Sequence, residues 1–139
     1  MHASCVAFCS SAVLITGASG TGKSSLALRL MALGCKLVSD DRTELRASDG
    51  MIEARAPEVI RGLIEARGLG LLHADTVRLA QVAFVITMDH EECDRLPPLR
   101  HMEILGRTLI CVRNSQQCDF PAAVLQMLKQ GRAEPDETT

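Results

Sequence analysis

The length, composition and charge of the chain narrow the classes of protein to which it can belong. Its 139 residues suit a single domain, and a hydrophobic fraction of 47% is enough to fill one core. Three Phe, no Tyr and no Trp leave few rings for stacking bases, and a formal net charge of −2 does not attract a polyanion. We therefore expect no nucleic-acid partner.

Several features favour a cytoplasmic protein. Residues 1–16 lack the basic start and the small-residue cleavage site of a signal peptide. The longest apolar runs, such as residues 82–86, are too short to cross a bilayer. The six cysteines include no C-x-x-C pair, so reduced, mostly buried thiols are expected rather than a zinc site. We predict a cytoplasmic protein without membrane association.

The first predicted elements are two strands, a glycine-rich segment and a helix. Residues 4–9 are predicted to form a short strand, and residues 12–16 a buried one. The helix is predicted from about residue 23 to residue 33, and Gly34 ends it because glycine readily adopts the closing backbone conformation. A short buried strand and a hairpin follow, at residues 36–39, 43–47 and 51–56.

The later predicted elements are less regular. A helical turn is predicted at residues 57–60. Residues 63–73 are apolar but interrupted by Gly68 and Gly70, which suggests the close approach of another backbone rather than a plain strand. Strands at 77–79, 82–88 and 109–112, a proline loop at 97–98 and an amphipathic helix at 120–129 complete the pattern. We expect residues 1–130 to form one domain and residues 131–139 a disordered acidic tail.

One segment has a pattern that predicts a nucleotide site. It reads G-x-x-x-x-G-K-S, the phosphate-binding loop or Walker A pattern, between a predicted buried strand and a predicted helix. Its glycines let successive backbone N–H groups point at one anion, which the helix amino terminus also faces. Its lysine adds a positive charge for the outer phosphates, and its serine hydroxyl suits magnesium. The predicted nucleotide-binding residues are Gly17, Ala18, Ser19, Gly20, Thr21, Gly22, Lys23 and Ser24.

Two carboxylates follow the next predicted strand. Asp40 and Asp41 come directly after residues 36–39, and the carboxyl ends of parallel strands gather beside a phosphate loop. One carboxylate can then hold the magnesium shell while the other takes a proton from an attacking hydroxyl. On the residues alone, a solvated acidic turn or a helix cap is an open alternative.

Three motifs in order give the chain a family resemblance. The succession G-x-x-G-x-G-K-S, L-V-x-D-D-x-x-E-L and L-I-E-x-R-G-L-G resembles the catalytic domain of bacterial HPr kinase/phosphorylase. The resemblance covers roughly residues 2–115, and residues 94–106 are similar to the short proteobacterial branch, which lacks the family's separate amino-terminal domain. It implies an α/β fold in which a mixed sheet with few helices carries the phosphate loop, related to phosphoenolpyruvate carboxykinase.

The resemblance also implies an activity. Members use ATP and Mg²⁺ to phosphorylate a serine of HPr, the phosphocarrier of the sugar phosphotransferase system, and many members also remove that phosphate. They assemble as hexamers, which implies a homo-oligomer. Residues 112–117 read V-R-N-S-Q-Q instead of the Gly-Arg-Asn segment tied to dephosphorylation, and the segment before Arg95 is shorter. Both departures favour the kinase reaction over its reverse.

Carried over residue by residue, the resemblance implies roles for several side chains. His2 matches a catalytic histidine, and Asp41 matches the group that accepts the proton of the target serine. Glu65 matches a magnesium ligand, and Arg95 matches an arginine that neutralises the transferring phosphoryl group. The implied catalytic residues are His2, Lys23, Asp40, Asp41 and Arg95, and the implied magnesium ligands are Ser24 and Glu65.

Two other classes of function are open at this stage. A small-molecule kinase would need an arginine-rich lid and a substrate pocket, and the sequence contains no compact lid. A nucleotide-binding sensor would turn nothing over and would tolerate Asp41→Asn with its binding intact. Comparing nucleotide binding with turnover separates the sensor from both kinases.

Overall fold

The computed structural model describes residues 1–133, which form ten strands, two α-helices and a short 3₁₀ helix. The elements are β1 Ala3–Phe8, β2 Ser11–Thr16, α1 Lys23–Ala32, β3 Lys36–Ser39, β4 Glu44–Ser48, β5 Met51–Arg55, the 3₁₀ helix Glu58–Ile60, β6 Leu63–Ala66, β7 Gly70–His73, β8 Ala80–Glu91, β9 His101–Ile104, β10 Arg107–Asn114 and α2 Phe120–Gln130. Most of the expected acidic tail, residues 134–139, lies outside the described residues. Neither α-helix within residues 1–133 is long and apolar enough to span a membrane.

One mixed sheet of eight strands organises the described residues. Its main path runs β3-β1-β2-β8-β10-β9, and the β4–β5 hairpin joins it where β5 pairs with the start of β8. Strand β8 is parallel to β2 and β10, whereas β1 is antiparallel to both β2 and β3. Strands β2 and β3 therefore run in the same direction. Their carboxyl ends share one edge of the sheet, where the phosphate loop and Asp40 follow them.

Strand β2 contributes to two cores because its alternate side chains point to opposite faces of the sheet. Val13 and Ile15 pack beneath the helices, and Leu14 packs on the other face. The helices cover the first face with Leu26, Ala27, Leu30, Val124, Leu125 and Leu128. The β4–β5 hairpin covers the second face with Ile52 and Ala54. Both faces of the central sheet are thus occupied by packing, which leaves the carboxyl edge for chemistry.

The prediction of a mixed sheet with few helices is confirmed, and the local elements agree closely with it. The helix predicted at residues 23–33 is α1, and the helix predicted at residues 120–129 is α2. The predicted hairpin turn joins β4 to β5, with Asp49 and Gly50 at φ of 50° and 80°. These elements are determined by residues close together in the chain, so the sequence of each segment was enough to predict them.

The prediction of a strand at residues 77–79 is wrong, and strand β9 was not predicted. Residues 77–79 form a connection in which the Val77 N–H donates to the Leu37 carbonyl at 2.9 Å, beside a single bridge from Thr76 to Leu37. Val77 is apolar because it packs against the second core, not because it extends a ladder. Strand β9 lacked an apolar signal because Ile104 is its one buried residue.

Residues 63–73 form a hairpin, which corrects the expectation of a close backbone approach. Strands β6 and β7 pair antiparallel as a separate two-stranded sheet. Gly68 and Gly70 have φ of 86° and 106°, and a Cβ built on either would meet nothing within 4 Å. The left-handed backbone of the turn therefore accounts for both glycines. The hairpin places its first strand beside Asp40.

Candidate active site

The phosphate loop joins β2 to α1 at the carboxyl edge of the sheet. Gly17, Gly20 and Gly22 have φ of 149°, 84° and 99°, which are backbone conformations that favour glycine. A Cβ on Gly17 would lie 2.8 Å from Oγ1 of Thr21 and 2.9 Å from Cβ of Met88, closer than real Cβ contacts allow. The loop thus depends on glycine both for its backbone angles and for its packing against β8.

Lys23 is the first residue of α1, and its side chain hydrogen-bonds to the phosphate loop. Its side chain is buried, and its Nζ donates to the carbonyl oxygens of Gly17 at 2.8 Å and Ala18 at 3.1 Å. An ammonium group has three N–H donors, so one is left for a phosphate oxygen. The Ala18 N–H donates in turn to Oδ1 of Asp89 in β8 at 3.0 Å. The loop is therefore tied to the neighbouring parallel strand as well as to its own lysine.

Asp40 is a buried carboxylate that connects three elements. Its Oδ1 accepts hydrogen bonds from the hydroxyls of Ser4 at 2.8 Å and Ser24 at 2.7 Å. Its Oδ2 accepts the backbone N–H of Glu65 at 3.0 Å. The side chains come from β1 and α1 and the N–H from β6. Three donors satisfy a group whose burial without partners would be costly.

Asp41 turns away from this buried network and lines the cleft. Its backbone has a φ of 66°, a left-handed conformation that Asp tolerates better than most residues. Its N–H donates to Oγ of Ser4 at 3.1 Å, and its Oδ1 lies 2.9 Å from Nε2 of His2. The pair is exposed, with side-chain accessibilities of 53% for His2 and 59% for Asp41. A carboxylate in this position can accept a proton from a group entering the cleft.

Lys23, Asp40 and Asp41 line one cleft of about 590 Å³. The loop and the first turn of α1 form one wall, while Asp40, Asp41, Glu65 and Arg67 form the rest. Nη2 of Arg67 lies 3.9 Å from the position that a Cβ of Gly20 would take, so the guanidinium reaches the phosphate loop. The cleft therefore combines backbone donors for anions, the two cationic side chains of Lys23 and Arg67, and carboxylates, the set that phosphoryl transfer requires.

The match to a known protein family covers the part of the chain that builds this cleft. A family model described as HPr Serine kinase C-terminal domain matches residues 1–90, which is more than half of the chain. The chain belongs to the HPr kinase family. Every residue assigned above to the cleft lies within the matched range of this HPr kinase-family chain.

Curated relatives carry the same family name. The chain is 53% identical over 66 residues to the HPr kinase/phosphorylase of Bordetella pertussis, covering 47% of the chain and 21% of that relative. It is 36% identical over 106 residues to the HPr kinase/phosphorylase of Clostridium beijerinckii, covering 68% of the chain and 35% of that relative. The chain thus spans between about a fifth and about a third of the length of these HPr kinase relatives.

A solved structure shares the fold of this HPr kinase-family chain. The Hpr(Ser) kinase/phosphatase from Coxiella burnetii superposes with a TM-score of 0.77 and 24% sequence identity. The superposition covers 93% of each of the two chains. The fold implied by the family resemblance, an α/β domain with a mixed sheet and few helices, is therefore confirmed.

The donor set in the cleft suits Mg²⁺ bound together with a nucleotide. Within residues 1–133, His, Cys, Asp and Glu form no group of three or more that could hold a metal ion alone. Mg²⁺ commonly binds through one or two carboxylates, with phosphates and water completing its shell. Asp40 and Glu65 line the cleft beside Ser24, so hard oxygen ligands are present on one side of it.

Arg95 is the one predicted site residue that the structure places elsewhere in the described part of the chain. It lines a second cleft of about 620 Å³ together with Arg100, Arg113 and Arg132. Arg100 forms an ion pair with Glu92 in this cleft. Within residues 1–133 of a single chain, Arg95 therefore does not line the phosphate-loop cleft, and its role in phosphoryl transfer stays a prediction.

Three residues of the site were not among those predicted. Arg67 is two residues after Glu65, and the alternation of side chains along a strand could have indicated it. Asp89 lies near the end of the apolar strand β8, the same kind of position that identified Asp40. Ser4 had no sequence signal, because a serine between apolar residues of a strand is compatible with many environments.

Proposed function

We propose that the chain is the catalytic domain of an ATP-dependent protein kinase that phosphorylates a serine of an HPr-type phosphocarrier protein. The observation that carries the proposal is that the phosphate loop, Asp40, Asp41 and Glu65 line one cleft. Membership of the HPr kinase family supports the choice of acceptor. The geometry of the cleft supports phosphoryl transfer, and membership of the HPr kinase family supports an HPr-type protein as the acceptor.

The donor half of the reaction is assigned to the phosphate loop. Backbone N–H groups of the loop and of the first turn of α1 bind the phosphates of ATP. The remaining N–H of Lys23 Nζ and the guanidinium of Arg67 add positive charge beside the loop. When Mg²⁺ is bound, Ser24, Asp40 and Glu65 hold it, and it neutralises phosphate charge during transfer.

The acceptor half is assigned to Asp41 and His2. The serine hydroxyl enters the cleft, and the carboxylate of Asp41 accepts its proton as the serine oxygen bonds to the γ-phosphorus of ATP and the bond from that phosphorus to ADP breaks. His2 binds Oδ1 of Asp41, which orients the carboxylate and leaves Oδ2 for that proton. In the reverse direction the phosphoryl group passes from the serine oxygen back to ADP, and the protonated carboxyl of Asp41 returns the proton to that oxygen. The same two residues therefore serve both directions.

The direct test is phosphate transfer from γ-labelled ATP to purified HPr in the presence of Mg²⁺. We expect the label on HPr to survive acid, because a serine phosphate ester is acid-stable whereas a histidine phosphoramidate is not. Running the assay backward from phosphorylated HPr and ADP tests the reverse reaction. Label transfer to a small metabolite instead of HPr would contradict the proposal.

A matched pair of variants makes the test specific to Asp41. Asp41→Asn removes the proton acceptor, and transfer should be lost while ATP still binds. Asp49→Asn changes another aspartate with left-handed backbone, at φ of 50°, but in the turn between β4 and β5. It should keep full transfer. Equal losses in both variants would mean that Asp41 has no special role.

The non-catalytic alternative is a nucleotide-binding sensor. The observation that favours it is that Arg95 does not line the phosphate-loop cleft in a single chain. A sensor would bind ATP and a partner with turnover absent, and Asp41→Asn would change neither binding step. The small-molecule kinase alternative is addressed by the acceptor assay above.

Assembly and location complete the proposal. We infer a homo-oligomer, with a hexamer as the expected form, and residence in the cytoplasm with HPr. An oligomer would allow Arg95 of one subunit to lie near a phosphate loop of another. Analytical ultracentrifugation of the full chain tests the assembly, and a monomer at working concentration would contradict it.

A further inference from the structure

Ser4 is a completely buried polar side chain in the strand next to β3, which ends the main path of the sheet. It lies in β1 between Ala3 and Cys5, and all three are 0% exposed. Strand β1 is paired on both sides, with β2 and with β3. A hydroxyl in this environment needs hydrogen-bond partners, because an unpaired one is costly when buried. Both partners of Ser4 come from the Asp40-Asp41 step that follows β3.

The direction of each hydrogen bond at Ser4 is determined by chemistry. Its Oγ lies 2.8 Å from Oδ1 of Asp40 and 3.1 Å from the backbone N of Asp41. An amide N–H can only donate, so the hydroxyl accepts from Asp41. The single hydroxyl proton is then donated to the carboxylate of Asp40. Ser4 therefore joins the side chain of one aspartate to the backbone of the next.

The two hydrogen bonds of Ser4 lie at the point where the environments of Asp40 and Asp41 become different. Asp40 is buried, whereas Asp41 has a left-handed backbone and faces the cleft. The other hydroxyl on Oδ1 of Asp40 belongs to Ser24, which the proposed function assigns to the magnesium shell. Ser4 contacts the pair from the buried side, where it holds both groups without facing the cleft.

We propose that Ser4 is a positioning residue for phosphoryl transfer, because its hydroxyl holds the Asp41 turn in register with the buried Asp40 carboxylate. This inference rests on the proposed function for its kinetic consequence, but its geometric content does not. The alternative is a hydroxyl that stabilises the fold and has no effect on the reaction. The two readings differ in which kinetic constant changes and in which backbone amide loses protection.

The first measurement is the kinetics of Ser4→Ala and Ser4→Thr. In Ser4→Ala the Asp41 N–H and the Asp40 carboxylate each lose a partner, so kcat should fall by roughly tenfold to a hundredfold, as small misplacements of reacting groups do. The KM for ATP should stay within about twofold, because Ser4 itself makes no hydrogen bond to the phosphate loop and Ser24 keeps its bond to Asp40. Ser4→Thr keeps the hydroxyl and should restore most of kcat. Unchanged kcat in Ser4→Ala would overturn the inference.

Thr43→Val is the matched control for the loss of a buried hydroxyl. Thr43 is 1% exposed, and its Oγ1 donates to the carbonyl of Ala3 at 2.8 Å at the same edge of the sheet. Its replacement should lower the free energy of unfolding as much as Ser4→Ala does while kcat stays unchanged. An equal fall of kcat in Thr43→Val would assign the effect to general loosening and contradict a specific role for Ser4.

The second measurement needs no activity. Amide hydrogen exchange of Asp41 should be protected in the unmodified chain, although the side chain is exposed, because the N–H is bonded to Ser4. Ser4→Ala should speed that exchange by at least about tenfold, and Ser4→Thr should preserve it. Unchanged protection in Ser4→Ala would overturn the inference. The expected exchange pattern in a chain without any phosphate transfer would instead contradict the proposed function alone.

Discussion

Asp40 and Asp41 are adjacent in the chain but occupy opposite environments. Asp40 is 7% exposed and accepts three hydrogen bonds, whereas the Asp41 side chain is 59% exposed and contacts His2. The left-handed backbone of Asp41, with φ of 66°, is the point at which they diverge. One carboxylate therefore organises the site from within the protein, and the other is available to a reactant.

This difference predicts that the two aspartates respond differently to the same substitution. In Asp40→Asn one side-chain atom becomes a donor, which leaves a buried donor facing another donor. The free energy of unfolding should fall by about 1–3 kcal/mol. In Asp41→Asn only an exposed pair is lost, so the change should stay below about 1 kcal/mol. Urea unfolding of both variants measures this, and equal losses would contradict the contrast.

Lys23→Ala should abolish most phosphate transfer. Losing one preorganised charge donor typically costs about 2.7–4 kcal/mol of transition-state stabilisation, which is roughly a 10²–10³-fold fall in kcat. Steady-state kinetics with ATP and HPr measures the loss. Lys36→Ala is the control, because Lys36 is an exposed lysine at the start of β3, the end of that strand remote from Asp40. Full activity of Lys23→Ala would mean that the loop is not the catalytic site.

Glu92 should make stability depend on acid pH. Burial alone would raise the pKa of Glu92, but hydrogen bonds from the Asp94 N–H, Arg100 and the Cys93 N–H together lower it from its ordinary value of 4.5. A carboxyl whose pKa is lower in the folded state stabilises the fold above pH 4.5. That contribution should fade as the pH falls through the folded-state pKa.

The measurement for Glu92 is the free energy of unfolding as a function of pH. Glu92→Gln cannot titrate, so its stability should fall less steeply below pH 4.5 than that of the unmodified chain. The two curves should run parallel at neutral pH. Identical slopes across the acid range would show that the ion pair with Arg100 does not couple to folding.

The six thiols should separate into two classes of reactivity. All six are free, and burial raises the pKa of the thiols of Cys5, Cys35 and Cys111. Nearby positive charge, from Lys129 for Cys35 and from Arg113 and Arg100 for Cys111, offsets part of that rise. Because the thiolate is the reactive form, these three thiols should react slowly with thiol reagents.

Labelling with a disulfide reagent at pH 8 tests the two classes. The exposed thiols, expected to react in the folded protein, are Cys9, Cys93 and Cys118. The three buried thiols should react only after denaturant is added. Peptide mapping identifies the labelled positions, and rapid labelling of Cys5 in the folded chain would contradict the burial of β1.

Local features of the fold were predictable because their signals lie within a few residues. The hairpin turn at Asp49 and Gly50 needs left-handed backbone, and the sequence supplies residues that adopt it. The helices begin and end close to the predicted residues because their apolar spacing and their end residues are adjacent in the chain. The strand at residues 77–79 failed because an apolar run alone does not distinguish a ladder from a packed connection.

Membership of the HPr kinase family was likewise encoded in short motifs, since the loop, the Asp40-Asp41 pair and Glu65 each stand in a recognisable run of residues. The convergence of the loop with the Asp40-Asp41 pair was expected from one rule, that carboxyl ends of strands running in one direction share an edge, whereas Glu65 was assigned by the family resemblance alone. The antiparallel β1 between β2 and β3 is what makes these two strands run the same way. That topology belongs to the whole sheet and is not readable from any one segment.

The sequence by itself determined which residue types could bind phosphate, accept a proton and hold magnesium, because those properties belong to side chains and to short backbone patterns. The tertiary structure decided which of them meet. Ser4 reaches Asp40 across 36 positions of the chain and Asp89 reaches the phosphate loop across 71, while Arg95 lines a different cleft. Such contacts arise from strand order and direction, and these are set by the packing of two complete cores rather than by neighbours in sequence.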